Sequence, residues 1–269
     1  MQDRLGGLDA HLARATRLRL PGDYVTLRLG EAAVGLVRPQ VAALLAAWRD
    51  GAAITLPNDA ALLDCQAVLV EAGAVALRGE MFDVRAHAAG QVLGQVDRGT
   101  LPVLGIEAQG VHVNGLVPTG DGWALWVARR SPRKKLDAGK LDHIVAGGIC
   151  AGMDAASTLI KEADEEASVP AAVARRAQFR GTLTYAIERP EGLRRDRLQC
   201  YDLEIPESFT PTPRDGEVEA FSLMSLPDVL ARVRDSDDFK FNVSLVLIDL
   251  FARLGLIDTP ASLRAMRAG

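Results

Sequence analysis

At 269 residues and 48% hydrophobic content, the chain is long enough to bury a sizeable core as one large domain or two of ordinary size. A net charge of −4 with dispersed basic residues excludes a dedicated nucleic-acid binder, because phosphate tracking needs a concentrated basic patch. Three scattered cysteines, Cys65, Cys150 and Cys200, exclude a disulfide framework, and no apolar run reaches the roughly eighteen residues of a membrane span.

Residues 3–17 read as a helix, 24–37 as a hairpin turning at Gly30 and Glu31, and 39–48 as a helix opened by a proline at its first position. A strand at 54–56, a helix at 59–72 and a second hairpin over 74–84 through Gly79 and Glu80 complete a first α+β unit, residues 1–105. It holds no paired carboxylates and no phosphate loop, so it is expected to shape or cover a pocket without supplying chemistry. The second unit, residues 106–269, opens with strands at 111–117 and 123–129 about Gly120, Asp121 and Gly122. After a basic stretch at 129–135 and an acidic helix, strands are expected at 179–187, 197–203 and 218–223. Ser225 and Asp228 form a capping box for a helix to residue 233. A last helix, 242–254, spaces Val243, Val246, Leu247, Leu250 and Leu254 on one side and stops at Gly255. Mixed strands with helices on either side predict an α+β sandwich.

The acidic helix follows a glycine-rich loop at 147–152 and carries Glu162, Glu165 and Glu166, which share one face at 3.6 residues per turn. Like charges at these spacings oppose helix formation by roughly a few tenths of a kcal/mol each, so the cluster makes sense beneath a cation. Hard oxygen donors suit Mg²⁺ or Mn²⁺. Ala156, Ile160, Ala163 and Ala167 form the apolar side expected to pack on a sheet. Cys150 reads as a small filler, and His11, His87, His112 and His143 show no ligand spacing, so no zinc site is expected. The basic clusters at 129–135 and 194–197 read first as solvated loops. The alternative is that one of them, through Arg194, Arg195 and Arg197, receives a phosphorylated substrate. The aromatic residues Trp123, Trp126, Tyr185, Tyr201 and Phe209 read as core before they read as a stacking surface.

This spacing resembles the Nudix box, with Gly147, Glu162, Glu165, Glu166 and Val169 at matching positions. Met153 stands where the box has its first glutamate, Lys161 where it has arginine, and Ser168 where it has a late glycine. Lys161 keeps the charge and can pair with Glu165 at i+4, although it lacks the arginine fork. Asp154 reads as the helix N-cap in preference to a replacement for the missing acid. The resemblance extends to residues 110–115 around His112 and Asn114, to 141–148 around Asp142 and His143, to 201–203, to 215–219 and to 239–242 around Lys240. Together these are similar to the Nudix branch related to the Nudix domain of fungal thiamine pyrophosphokinase fusion proteins, which also has an N-terminal domain and usually carries alanine and serine after the paired glutamates.

That resemblance implies an α+β protein, a Nudix-type α/β/α sandwich with a mixed sheet preceded by a smaller N-terminal domain. It implies that Glu162, Glu165, Glu166 and the Gly147 carbonyl hold Mg²⁺ or Mn²⁺, with Glu165 or Glu166 as general base and Lys161 orienting them. Glu217 is the candidate for an auxiliary ligand or base, with an exposed turn acid as the equal alternative. The implied reaction is hydrolysis of thiamine diphosphate, or of its damaged oxo and oxy analogues, to the monophosphate and phosphate. Cleavage of an ADP-ribose-like compound and a non-catalytic ligand sensor are the alternatives. The expected partner is a small-molecule diphosphate, with neither nucleic acid nor membrane, and a homodimer is admissible. The first residues lack the apolar stretch of a signal peptide, so a cytoplasmic protein is expected.

Overall fold

In a computed structural model, residues 6–120, 122–134 and 136–268 are described. The helix start at Asp3, the turn residue Asp121 and Lys135 of the basic stretch lie outside them. The N-terminal unit begins with α1 (Gly6–Thr16), then β1 (Val25–Leu29), β2 (Ala32–Val37), α2 (Pro39–Leu44), β3 (Arg49–Asp50) and β4 (Ala53–Leu56). The four strands form one sheet in the order β2-β1-β4-β3, with β1 and β4 parallel. Helix α3 (Asp59–Glu71) is capped by Asn58, whose side chain accepts the Ala61 N–H at 3.0 Å, and it buries Leu62, Cys65 and Leu69 against this sheet.

The second hairpin departs from expectation. Strand β5 (Met81–Val84) pairs not with residues before Gly79 but with β6 (Gly94–Asp97). The Asp97 carboxylate accepts the N–H groups of Arg78, Gly79 and Gly99 at 2.7–2.8 Å, so these amides are satisfied without a strand partner. The short helix α4 (Leu101–Leu104) then leads into the second unit.

That unit contains β7 (Glu107–Thr119), β8 (Gly122–Arg130), β9 (Leu141–Asp142), β10 (Val145–Gly148), α5 (Ala155–Ala167), α6 (Ala171–Ala174), β11 (Gln178–Arg189), β12 (Gly192–Glu204) and β13 (Val218–Ser225). It ends with α7 (Leu226–Asp235), α8 (Phe241–Arg253) and α9 (Ala261–Ala268). The sheet runs β11-β12-β7-β8-β13 and is mixed, because β12 and β7 are parallel while the other neighbours are antiparallel. It also forks. From Gly115 to Thr119, β7 pairs with β8, but from Gly110 to Val113 its neighbour is β10, while β8 takes β9 at Ala128 and Arg129.

On one face of the sheet Leu159, Ala163 and Ala167 of α5 pack on Val111, Val113 and Val145. On the other, Val243, Val246, Leu247 and Leu250 of α8 join residues of α7 and α9 over Leu116, Leu125, Leu183 and Leu198. The result is the α/β/α sandwich. Helix α1, from the expected N-terminal unit, packs here too. Leu8, Leu12 and Ala15 are buried among α7, α8 and α9, and His11 Nε2 lies 2.8 Å from the Val233 carbonyl. The core of the N-terminal unit therefore runs from Leu27 to Ile106, and the first helix crosses over to close the far face of the second sheet.

Candidate metal centre

Helix α5 starts at Asp154, whose carboxylate accepts the Ser157 N–H at 2.7 Å, so this residue is the N-cap. Met153 is half-buried in the preceding loop and offers no carboxylate. The buried residues are Thr158, Leu159, Ala163, Glu166 and Ala167 rather than the expected set with Ala156, which sits exposed in the first turn. The helix ends at Ser168 with φ of 55°, the left-handed region, at roughly 1 kcal/mol for a side-chain-bearing residue. The Ser168 hydroxyl donates to the Thr212 carbonyl at 2.9 Å, and the Val169 N–H returns to the Ala163 carbonyl. A serine thus does the work of the late glycine.

The three glutamates meet different surroundings. Glu162 lies across Gly147, where a Cβ would stand 2.5 Å from its Cγ and 2.6 Å from its Cδ, so only glycine lets the carboxylate reach this strand. Burial pushes its pKa up. Glu166 is 8% exposed and accepts the Ala146 N–H at 2.9 Å on the free edge of β10. Burial, and then the neighbouring carboxylates of Asp142, Glu162 and Glu217, hold its pKa well above the usual range against that one hydrogen bond. Glu165 is exposed and accepts from Lys161 Nζ at 2.6 Å, while the same ammonium sits 3.2 Å from Glu162. The contact with Glu165 raises the Lys161 pKa.

Glu217 lies on the loop before β13, and its charge adds to the rise in pKa of both Glu162 and Glu166. It forms an ion pair with Lys134, and its carbonyl accepts the Ser131 N–H. Lys161 thus links Glu162 to Glu165, Glu162 lies against Gly147 and Glu166 against Ala146 of β10, while Glu217 stands on its own loop with Lys134; among the described residues no three of these carboxylates lie within 4.8 Å of one another. The donor set is all oxygen and anionic, and Glu166 is a buried carboxylate whose charge is opposed by three others. Such a set fits a hard divalent cation.

Arg194 and Arg195, expected in a loop, lie on a strand together with Arg197. Strand β12 is thirteen residues long and reaches back to Gly192, so the expected polar turn shortens to Pro190 and Glu191. Arg194 pairs with Asp196 at 3.2 Å, Arg195 Nη1 donates to the Gly105 carbonyl, and Arg197 Nε donates to Glu107 at 3.0 Å. These contacts join the sheet to the start of β7 and to the linker from the N-terminal unit. Trp126, Tyr201 and Phe209 are partly buried against the α5 core, and Tyr185 is buried on the other side of the sheet.

The histidines have no ligand spacing along the chain, yet two of them converge in space. His112 Nδ1 and His143 Nδ1 are 2.9 Å apart, and Asp142 completes a buried group whose potential ligand atoms lie within 4.8 Å of one another. Burial lowers both imidazole pKa values, that of His143 to about 4. The Asp142 carboxylate is already met by Arg130 Nη1 at 2.7 Å and Lys240 Nζ at 3.5 Å, so two cations stand where a metal would need room. Beside this group Asn114 Nδ2, Arg180 and Arg253 all donate to Asp202. The motifs around His112, Asp142, Tyr201 and Lys240 thus form a buried polar brace behind the fork. No periodicity pointed to it, because its members come from widely separated segments.

No family model matches the chain. It is 37% identical over 203 residues to Nudix hydrolase 20, chloroplastic, of Arabidopsis thaliana, a match covering 75% of this chain and 54% of that protein. It is 38% identical over 181 residues to Nudix hydrolase 24, chloroplastic, of the same plant, covering 67% and 50%. The chain spans about half the length of these curated relatives. A solved structure from Deinococcus radiodurans is 22% identical with a TM-score of 0.47, covering 62% of this chain and 97% of that one. The 203 matched residues outnumber the 164 between positions 106 and 269, so the similarity to the first plant protein runs into the N-terminal unit. The matched region belongs to the Nudix hydrolase superfamily.

Proposed function

We propose that the chain is a divalent-metal-dependent hydrolase of a phosphoric anhydride, with thiamine diphosphate or its oxo and oxy analogues as substrate and the monophosphate and phosphate as products. The observation that carries the reaction class is Glu166, a buried carboxylate with one backbone donor on a helix shared with Glu162 and Glu165. The substrate class is supported by the motifs around His112, Asp142, Asp202 and Lys240, the residues on which the resemblance to the thiamine-linked branch rests.

In this reading Glu162, Glu166 and the Gly147 carbonyl hold Mg²⁺ or Mn²⁺, and Glu165 borders the same site. When bound, the ion offsets the negative charge of the anhydride and lowers the pKa of water. Glu165 is exposed and paired with Lys161 at 2.6 Å, and in this reading it takes a proton from the attacking water. Glu217, paired with Lys134, would be a further carboxylate available to the ion. Residence in the cytoplasm and assembly as a homodimer belong to the same proposal.

A phosphate-release screen of diphosphates with Mg²⁺, followed by product analysis, tests it. Thiamine monophosphate with free phosphate is the expected outcome. A nucleoside monophosphate from ADP-ribose, with thiamine diphosphate left intact, would reassign the substrate.

A further inference from the structure

The strand that carries Gly147 is gripped from both sides. On the α5 face the carboxylate of Glu162 lies against Gly147. On the opposite face, Phe82 of β5 lies against Gly148, where a Cβ would stand 2.5 Å from Cζ and 3.0 Å from Cε1. Successive residues of a strand point to opposite faces, so adjacent glycines admit the two side chains at van der Waals contact. The loop that follows is tied to the same place. Ala151 N–H donates to the Met81 carbonyl at 2.8 Å, and Cys150 packs against the core of the N-terminal unit. Gln109, whose carbonyl accepts the Ile149 N–H, sends its side chain to the Ala88 carbonyl at 3.3 Å. Phe82 is itself 3% exposed, and the Arg98 guanidinium, anchored by Glu80 at 2.9 Å, lies 5.9 Å from its ring centroid.

We propose that Phe82 is a positioning residue for the metal centre, through which the N-terminal unit fixes the Gly147 carbonyl and, across the strand, the Glu162 carboxylate. This rests on the metal reading given above. It replaces the expectation that the N-terminal unit only shapes or covers the pocket. Ligands must be held within about 0.5 Å of productive geometry, and the Gly147–Gly148 end of β10 has no side chains of its own to hold it there.

The test is Mn²⁺ uptake by the full-length, metal-stripped protein, read from the free-ion electron paramagnetic resonance signal, with circular dichroism to verify folding. Phe82→Ala is expected to weaken Mn²⁺ binding about tenfold, in line with losses of groups that orient ligands. Phe82→Leu retains most of the affinity. Gly148→Ala, which pushes a methyl into the ring, weakens it as well. The double variant Phe82→Ala with Gly148→Ala recovers affinity, because the methyl fills the space the ring leaves. Folded Phe82→Ala with wild-type affinity, or double-variant losses that simply add, overturns the inference. Should Phe82→Ala fail to fold, wild-type affinity in Gly148→Ala overturns it equally. Wild-type protein that takes up no Mn²⁺ overturns the metal reading itself, a result distinct from wild-type uptake that is unchanged in the variants.

Discussion

Replacing Glu166 with glutamine separates a residue kept for chemistry from one kept for folding. The amide oxygen can still accept the Ala146 N–H, so the 2.9 Å hydrogen bond survives and only its ionic increment, about 1 kcal/mol, is lost. Against that loss stands relief from burying a carboxylate at 8% exposure among Asp142, Glu162 and Glu217, an effective penalty of several kcal/mol per ion in a protein interior. The net expectation is a metal-free protein more stable by about 1–3 kcal/mol at pH 7, at about 2–4 °C per kcal/mol for a chain of this size. Hydrolysis falls at least about a hundredfold. The sign of the pH dependence follows from the raised pKa. Below the ordinary glutamate range both states are protonated and the contribution to stability is complete; as pH rises through the elevated folded value it is lost. Melting curves in a chelator across pH 4–8 should therefore show wild type losing this contribution with pH and Glu166→Gln lacking that loss. A variant that melts several degrees lower at pH 7 would refute the reasoning, because it would make the carboxylate a structural anion.

Three other substitutions probe the same arrangement. Gly147→Ala drives a methyl into Glu162 Cγ and Cδ and should reduce Mg²⁺-dependent turnover by more than its stability cost of about 1–3 kcal/mol explains, as kcat and melting data together will show. Lys161→Arg should keep or raise activity because its fork meets both Glu162 and Glu165, whereas Lys161→Met should shift the Mg²⁺ activation curve while costing only about 0.3–0.5 kcal/mol as an exposed ion pair. A chain starting near Gly105 should fail to fold, since it loses α1 from the second core and bares Gly148 and Cys150; a cooperative melt of that fragment contradicts the packing described here.

The parts of this molecule that could be read in advance are those whose signal is local. Glu162, Glu165 and Glu166 announce a shared face by spacing alone, Asp154 and Ser225 announce helix starts, and the long strands β7, β8 and β11 show alternation. What stayed hidden is non-local. Strands β9 and β10 are two and four residues long and exist because β7 and β8 diverge, which no window of sequence displays. Asp97 suppresses the hairpin at Gly79 from eighteen residues away, and the meeting of His112 with His143 depends on the fork. Arg194 to Arg197 resembled a loop because charged residues are rare in buried strands. Asp196, Glu107 and the Gly105 carbonyl supply the partners that make them tolerable there. The pressing of Phe82 on Gly148 is legible only as two glycines where the box needs one.

The most direct measurement is phosphate release from a diphosphate panel by metal-stripped protein as Mg²⁺ is added back, with Glu165→Gln and Glu166→Gln run in parallel. The arrangement at the fork predicts no turnover without metal, saturable recovery in wild type, and rates at least about a hundredfold lower in both variants. Turnover that persists in a chelator, or that is equal in wild type and the two variants, would contradict it.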